Sequence, residues 1–444
     1  MGDRPGEHGG LPPPPGHRAD GAPMTAGGPR GLPGRGLVPV ENAAEVSLPA
    51  CYDAVDLYTC DTPLSRRVEV ARALAEFEKT LGTRPTTVFT RIAECPGGRV
   101  LGHPYPRAVL LAALGTTEEK RLEEMSDRLA GPAHPVRASQ GGHRREELDG
   151  LLHTLPILQH RPGDAGPYIT AGVGVTTRPD GSGVNLGFYR IQVVAPDEVR
   201  IFLDPRTDGH RNLRAWLESG RPMPISVFLG ADPAISVVAA SRLPAEGDDY
   251  EIASRLLGRP LGLGGSPPVP DDATHVIEGH VLARDEVEGP FGEFKGYYAE
   301  ARRSNVMTVD RVAAVPGAPF PTIVAGATSG LTLMSFQNEY LMYAHLRGRG
   351  HSVRSVRYSL KARGEFVAYI ESDEPSQELV AEAMAFDVRS KVIICGPDLS
   401  NPGQALATYG FTTRTEPYHR KGRVEGERVG LALVIPPEGR PTEY

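Results

Sequence analysis

Apolar positions change period along this chain, and the changes mark out its parts. Val70, Leu74, Phe77 and Leu81 share one helical face, with Ser65 as the cap and Gly82 as the stop. A short strand is predicted at Thr87–Arg91, then a proline-started helix over Pro106–Leu114 and another after Thr117. From Tyr168 to about Thr308 the pattern turns to strands. Ile191 and Val193 alternate, as do Val199, Ile201 and Leu203, around a turn at Pro196-Asp197. Further strands are expected at Ile225–Leu229 and His275–Ala283. From Pro321 onward helix and strand signals alternate again. Strands are predicted at Thr322–Ala325, Val353–Leu360, Glu365–Glu371 and Lys391–Cys395, and helices around Ser335–Leu346 and Gln377–Phe386. The expectation is an α/β (α+β) protein with an α/β domain over residues 41–165, a β-rich domain over 166–310 and an α/β domain over 311–444.

Two stretches lack period. About half of residues 1–36 are Gly or Pro, too little apolar surface to fold, so residues 1–40 are expected to be a disordered tail with Met24 as an alternative start. Gly262 to Pro270 reads as a surface loop or linker.

Composition narrows the function. The 444 residues carry a net charge of −7 with few aromatics and no basic stripe, which argues against nucleic acid. No run approaches the roughly eighteen apolar residues of a membrane span, and no secretory signal opens the chain. Cys51, Cys60, Cys95 and Cys395 have no metal-ligand spacing and read as reduced thiols of a cytoplasmic protein. Gly172-Val-Gly174 lacks the third glycine of a dinucleotide fingerprint, and His103, His153, His160, His345 and His351 show no metal spacing.

The strongest chemical signal is Glu288-Gly-Pro-Phe-Gly-Glu293, which places two carboxylates around a turn of fixed φ and close backbone approach. A planar guanidinium such as Arg190 suits a carboxylate partner. By itself such a pair of acids reads as a charged hairpin tip.

More of the chain lines up with it. Tyr168-Ile-Thr-Ala-Gly-Val-Gly, Asn185-Leu-Gly-Phe-Tyr-Arg190, Leu243-Pro244, Asp249-Tyr-Glu251-Ile-Ala, Leu257-Gly-Arg-Pro-Leu261, the acid turn running on to Tyr298, and Lys391-Val-Ile-Ile follow in order. Together they resemble the UbiD-like family of prenylated-FMN-dependent (de)carboxylases. The resemblance implies a central split β-barrel that binds flavin, an N-terminal α/β domain and a C-terminal α/β domain used in oligomerisation. It implies reversible, non-oxidative decarboxylation of an α,β-unsaturated or aromatic acid, with the modified flavin as electron sink. Arg190 would orient the substrate, Glu288 would set the electrostatics and Glu293 would donate the proton. Cofactor contacts would come from Asn185, Phe188, Tyr189, Arg190, Phe202, Leu203, Asp204, Arg206, Thr207, Glu251 and Lys391. Asn185 and Glu251 would hold Mn²⁺ or Mg²⁺ beside the flavin phosphate, a hard oxygen-rich site, with K⁺ nearby. A flavin prenyltransferase would supply the cofactor, and the chain would form a homodimer or larger homo-oligomer.

One segment departs from the family pattern. Relatives carry a histidine after the second barrel strand, where this chain has Arg206 or Thr207, with His210 a few residues late. Cys395-Gly396-Pro397-Asp398 also lacks the usual run of acids. Two alternatives therefore stand beside the enzyme: a non-catalytic scaffold subunit that has lost flavin, and a conventional flavin oxidoreductase.

Overall fold

Three residues, Thr170 to Gly172, decide the shape of the middle of the chain. They join Tyr168–Ile169, at one edge of a nine-stranded sheet, to Val173–Thr176, next to the opposite edge. In a flat sheet those strands would stand about 29 Å apart, while the connecting backbone reaches about 14 Å at most. The sheet must curl until its edges approach, and the result is a split barrel. The computed structural model describes residues 36–138, 144–241, 248–420 and 423–434. Residues 1–35 of the predicted tail, with Met24, lie outside them, as does Leu243-Pro244.

The spine of the barrel is the hairpin of His275–Glu288 with Arg302–Ala314, paired from His275↔Ala314 to Glu288↔Arg302. A bulge at Glu278/Gly279 bends it; a Cβ on Gly279 would stand 1.8 Å from the Thr308 carbonyl oxygen. Met223–Leu229 and Glu198–Ile201 flank this hairpin. The expected turn at Pro196-Asp197 joins Ile191–Ala195 to Glu198–Ile201 in antiparallel pairing. Ile225, Val227, Val281, Ile191, Ile201 and Met307 fill the interior.

Three helices interrupt the stretch read as strands: Asp208–Glu218, Pro233–Ala240 and Asp249–Leu257. Pro233–Ala240 is buried along nearly its whole length, so it carries no polar stripe from which a helical period is read. Its start was nonetheless written in Asp232, whose side chain accepts the Ala234 N–H ahead of a proline in the first turn. Gly262 to Pro270 is not a linker. Leu261–Gly264 pairs with Val269–Pro270 and with Val136–Ala138, burying Leu263 and Val269.

The N-terminal sheet runs Leu37–Pro39, Leu57–Cys60, Thr86–Phe89, Val100–Gly102 and Phe320–Thr322. Its last strand replaces the one expected at Thr322–Ala325 and lies parallel to Val100–Gly102. The helix bearing Val70, Leu74 and Phe77 spans Glu69–Leu81 and stops at Gly82 as expected. Ser65 does not cap it; its hydroxyl accepts the Arg67 N–H instead. The C-terminal sheet orders Val353–Tyr358, Val367–Ser372, Val392–Gly396, Arg423–Val434 and Gly410–Arg420, with the expected helix Gln377–Phe386 packed against it. No helix among the described residues is long and apolar enough to cross a membrane.

The helix Thr328–Gly348 belongs to two cores. Leu333 and Phe336 enter the central one, while Met342, Tyr343 and Leu346 enter the C-terminal one. Between them sits Glu339, 1% exposed. Its Oε2 accepts from Arg107 and Arg121 at 2.7 Å each, and its Oε1 accepts the Tyr358 N–H at 2.9 Å. Both guanidiniums lie over the Phe336 ring. One carboxylate thus ties N-terminal helices, long helix and C-terminal sheet together. Glu339→Ala leaves two guanidiniums short of their partner and is expected to cost about 3–5 kcal/mol in urea unfolding. Glu118 pairs with the same two arginines from a more exposed position, and removing it costs about 0–1 kcal/mol in that assay.

Candidate active site

The acid turn is held from below by backbone hydrogen bonds to side chains. After Glu288 the chain passes through Gly289 and Pro290 into Phe291–Gly292, which pairs with Tyr298–Ala299. Gln192 accepts the Gly289 N–H at 3.0 Å, Tyr168 donates to the Gly289 carbonyl at 3.2 Å, and Asp164 accepts the Gly292 N–H at 2.9 Å. The Ala165 N–H donates to the Pro290 carbonyl at 2.9 Å. Gly289 is fixed by space: a Cβ there would stand 2.0 Å from that of Ala165. Phe291 is buried against Tyr168, ring centroids 4.4 Å apart.

Glu288 is fully buried. Its Oε2 accepts from Ser304 Oγ at 2.6 Å and from Arg302 Nε at 3.1 Å. Its Oε1 stands 2.6 Å from Arg190 Nε, a charge contact not aligned as a hydrogen bond. Arg190 Nη1 lies 3.7 Å from Glu293 Oε1, and Arg190 Nη2 is buried with no hydrogen-bond partner. The three residues that sequence singled out are therefore together, with Arg190 between the two acids. Glu293 is the more open acid, its side chain 34% exposed. Burial, and then the nearby Glu288 charge, push the Tyr168 hydroxyl well above its ordinary range.

A cavity of about 460 Å³, within the usual range for small-molecule sites, has Tyr189, the sequence neighbour of Arg190, in its wall. Asn185, Phe188, Tyr189, Asp204, Arg206 and Thr207, six of the expected cofactor contacts, line it. Tyr189 fills a slot left by three glycines. A Cβ on Gly174, Gly187 or Gly209 would come within 3 Å of its ring or hydroxyl, at 2.2 Å in the case of Gly209. Arg178, Arg206 and Arg211 bring three guanidiniums to the wall. The helix Asp208–Glu218 begins there, and its N-cap Thr207 makes no side-chain capping bond. Guanidiniums and a helix N-terminus fit a phosphate group. Arg206 is chelated by Asp204, which it holds down to about pKa 2.

Other expected contacts lie elsewhere. Leu203 is buried in the core, and Phe202 lies under the Arg302 guanidinium, 3.5 Å from ring centroid to Cζ. Lys391 faces Phe366 and Tyr418, in a different cavity shared with Lys295 and Tyr297. Glu251 is exposed, so Asn185 and Glu251 do not meet across the cavity. Asp249 lines it instead, because residues two apart on a helix point about 200° away from each other. His210 Nδ1 is buried without a partner, but His210 does not line the cavity. Among the described residues no three of His, Cys, Asp and Glu are grouped to hold a metal ion. Sequence reading missed Arg302, Ser304, Asp164 and Asp249. The first two were findable, since antiparallel pairing across the turn sets Arg302 opposite Glu288 with Ser304 on the same face.

Residues 134–328 match the model of the UbiD family, described as the 3-octaprenyl-4-hydroxybenzoate carboxy-lyase Rift-related domain. A phenolic acid decarboxylase from Streptomyces sp. (strain D7) is 33% identical over 211 residues, covering 44% of this chain and 44% of that protein. The match thus spans less than half the length of that relative. Among solved structures, an evolved dimeric form of the UbiD-class enzyme HmfF from Pelotomaculum thermopropionicum, in complex with prFMN, is 24% identical with a TM-score of 0.76. The comparison covers 87% of this chain and 94% of that one. The apo 3,4-dihydroxybenzoic acid decarboxylase of Enterobacter cloacae gives 0.77 at 20% identity over the same shares. At these identities the structures establish the fold, a mixed α/β chain around a curled central sheet.

Burial raises the Asp249 carboxyl to about 6, with the Asp248 and Asp208 charges adding to it. A raised acid stabilises the fold below its unfolded pKa, and that contribution is lost as pH rises through about 6. Asp249→Asn is therefore expected to stabilise the ligand-free protein by about 1–2 kcal/mol at pH 7.5. In denaturant titrations at several pH values this gain shrinks toward zero near pH 4.

Proposed function

We propose, from the premise that residues 134–328 form a UbiD-family domain, that this chain is a prenylated-FMN-dependent carboxy-lyase. It would remove CO₂ reversibly and without net oxidation from an aromatic or α,β-unsaturated acid. The observation that carries the reading is Arg190, set between Glu288 and Glu293 with a buried nitrogen that has no partner. A buried unpaired N–H costs free energy, so such a group is poised for a ligand. A carboxylate is the acceptor that suits a guanidinium edge.

The cavity wall of Asn185, Arg178, Arg206, Thr207 and Arg211 would hold the flavin through its phosphate end. A divalent ion, Mn²⁺ or Mg²⁺, would take the Asn185 amide oxygen and Asp249 together with phosphate oxygens, and K⁺ would sit nearby. When bound, the prenylated flavin supplies the electron sink for the pair left by departing CO₂. Everything else falls to this chain. Arg190 orients the carboxylate, Glu288 holds Arg190 from beneath, and the packed turn keeps water from the reacting carbon. Glu293, the acid nearer to solvent, returns a proton to the carbon that lost CO₂. The free cysteines suit a reducing compartment such as the cytoplasm, where a flavin prenyltransferase would supply the cofactor. Assembly as a homodimer or larger oligomer is part of the same proposal.

The test follows the proton. In D₂O, product formed by the cofactor-loaded protein should carry deuterium at the carbon that lost CO₂. Glu293→Gln should keep its flavin and lose at least about 100-fold in turnover. Turnover at the wild-type rate in that variant would remove Glu293 from the role, and a loaded protein inert toward both acid classes would overturn the reading.

A further inference from the structure

The acid cluster contains a second arginine. Arg302 stands directly opposite Glu288 across the antiparallel pair, and its Nε donates to Glu288 Oε2 at 3.1 Å. Ser304, two residues on and on the same face, takes a second position on that oxygen. An Arg–carboxylate pair left to itself closes fork to fork, with two parallel hydrogen bonds. Glu288 and Arg190 do not close in this way. Half of the carboxylate is already taken, Arg190 keeps a single close contact through Nε, and its Nη2 is left buried and unpartnered.

Arg302 is also packed against an aromatic ring. Its guanidinium lies 3.5 Å from the centroid of the Phe202 ring, two residues before the cavity-lining Asp204. Burial lowers its proton affinity and the facing charge of Arg190 lowers it further, so the two cations are held together by the one carboxylate between them. Without Arg302, the Ser304 hydroxyl alone holds that oxygen, and no second cation opposes a turn of the Glu288 carboxylate toward Arg190 that would close its edge.

We propose that Arg302 is a positioning residue: by holding one oxygen of Glu288, it keeps one edge of Arg190 open for an anionic ligand. The carboxylate nature of that ligand rests on the functional reading above; the geometry does not.

The experiment measures binding of benzoate, a small aromatic carboxylate, to FMN-loaded protein by calorimetry, with FMN affinity determined separately. Arg302→Met should hold FMN within about twofold of wild type and bind benzoate about tenfold more weakly. Arg302→Lys, which restores the charge but not the fork, should recover part of the loss. The double variant Arg190→Met/Arg302→Met should bind benzoate no more weakly than Arg190→Met alone, since both act through one edge. Circular dichroism and thermal unfolding establish that each variant is folded. Wild-type benzoate affinity in folded Arg302→Met, additive losses in the double variant, or absence of benzoate binding to the wild type would each overturn the proposal. A protein that shows these binding losses yet decarboxylates no acid keeps the positioning role and loses the enzymatic reading.

Discussion

A carboxylate with no exposure to water is the constraint on which the rest of this structure depends. Burying the charge of Glu288 costs several kcal/mol unless cations and hydrogen bonds replace its hydration. Arg302 and Ser304 supply one oxygen from the neighbouring strand, and Arg190 approaches the other from the strand-end of Ile191–Ala195. The register of the His275–Glu288 and Arg302–Ala314 hairpin is what brings these groups to one point. A slip of one residue would turn Arg302 and Ser304 to the opposite face. The bulge at Gly279 and the close approach at Gly289 follow from the same requirement, since both let the hairpin bend and the turn pack.

Around that point the barrel supplies rigidity and the helices supply polarity. Curling the sheet brings the Val173–Thr176 and Asn185–Phe188 pair round toward the edge that carries Tyr168. Asn185 to Tyr189 line the cavity, and the next residue, Arg190, reaches Glu288, so one short segment serves both. The helix Asp208–Glu218 starts at the cavity wall, where the partial positive charge of its first turn faces any bound anion. Glu339 does for the assembly of the layers what Glu288 does for the site, with a buried carboxylate shared by two guanidiniums. In both, losing the shared carboxylate strands two cations.

Much of this was legible in the sequence where the signal is local. The alternation of Ile191, Val193, Val199 and Ile201 gave the hairpin, and Gly82 gave the end of its helix. Arg190, Glu288 and Glu293 were picked out by turn chemistry and family likeness, and the structure brings them together. What was not legible depends on direction. Asp249 and Glu251 are two residues apart in one motif, and only the rotation of the helix selects the one that faces the cavity. Pro233–Ala240 is buried on every side, so its helical period has nothing to contrast with. Low complexity hid the Leu261 and Leu263 alternation that builds the small sheet, and nothing local showed that Phe320–Thr322 would return to the N-terminal sheet.

The most direct measurement is a visible absorption spectrum with mass spectrometry of the released ligand, on protein co-expressed with a flavin prenyltransferase and purified with Mn²⁺ and K⁺. The account predicts one prenylated FMN per chain, retained through purification although the segment at Arg206-Thr207 has no histidine. A colourless protein that also takes up no reconstituted cofactor would contradict it and leave a folded scaffold whose acid cluster serves no chemistry.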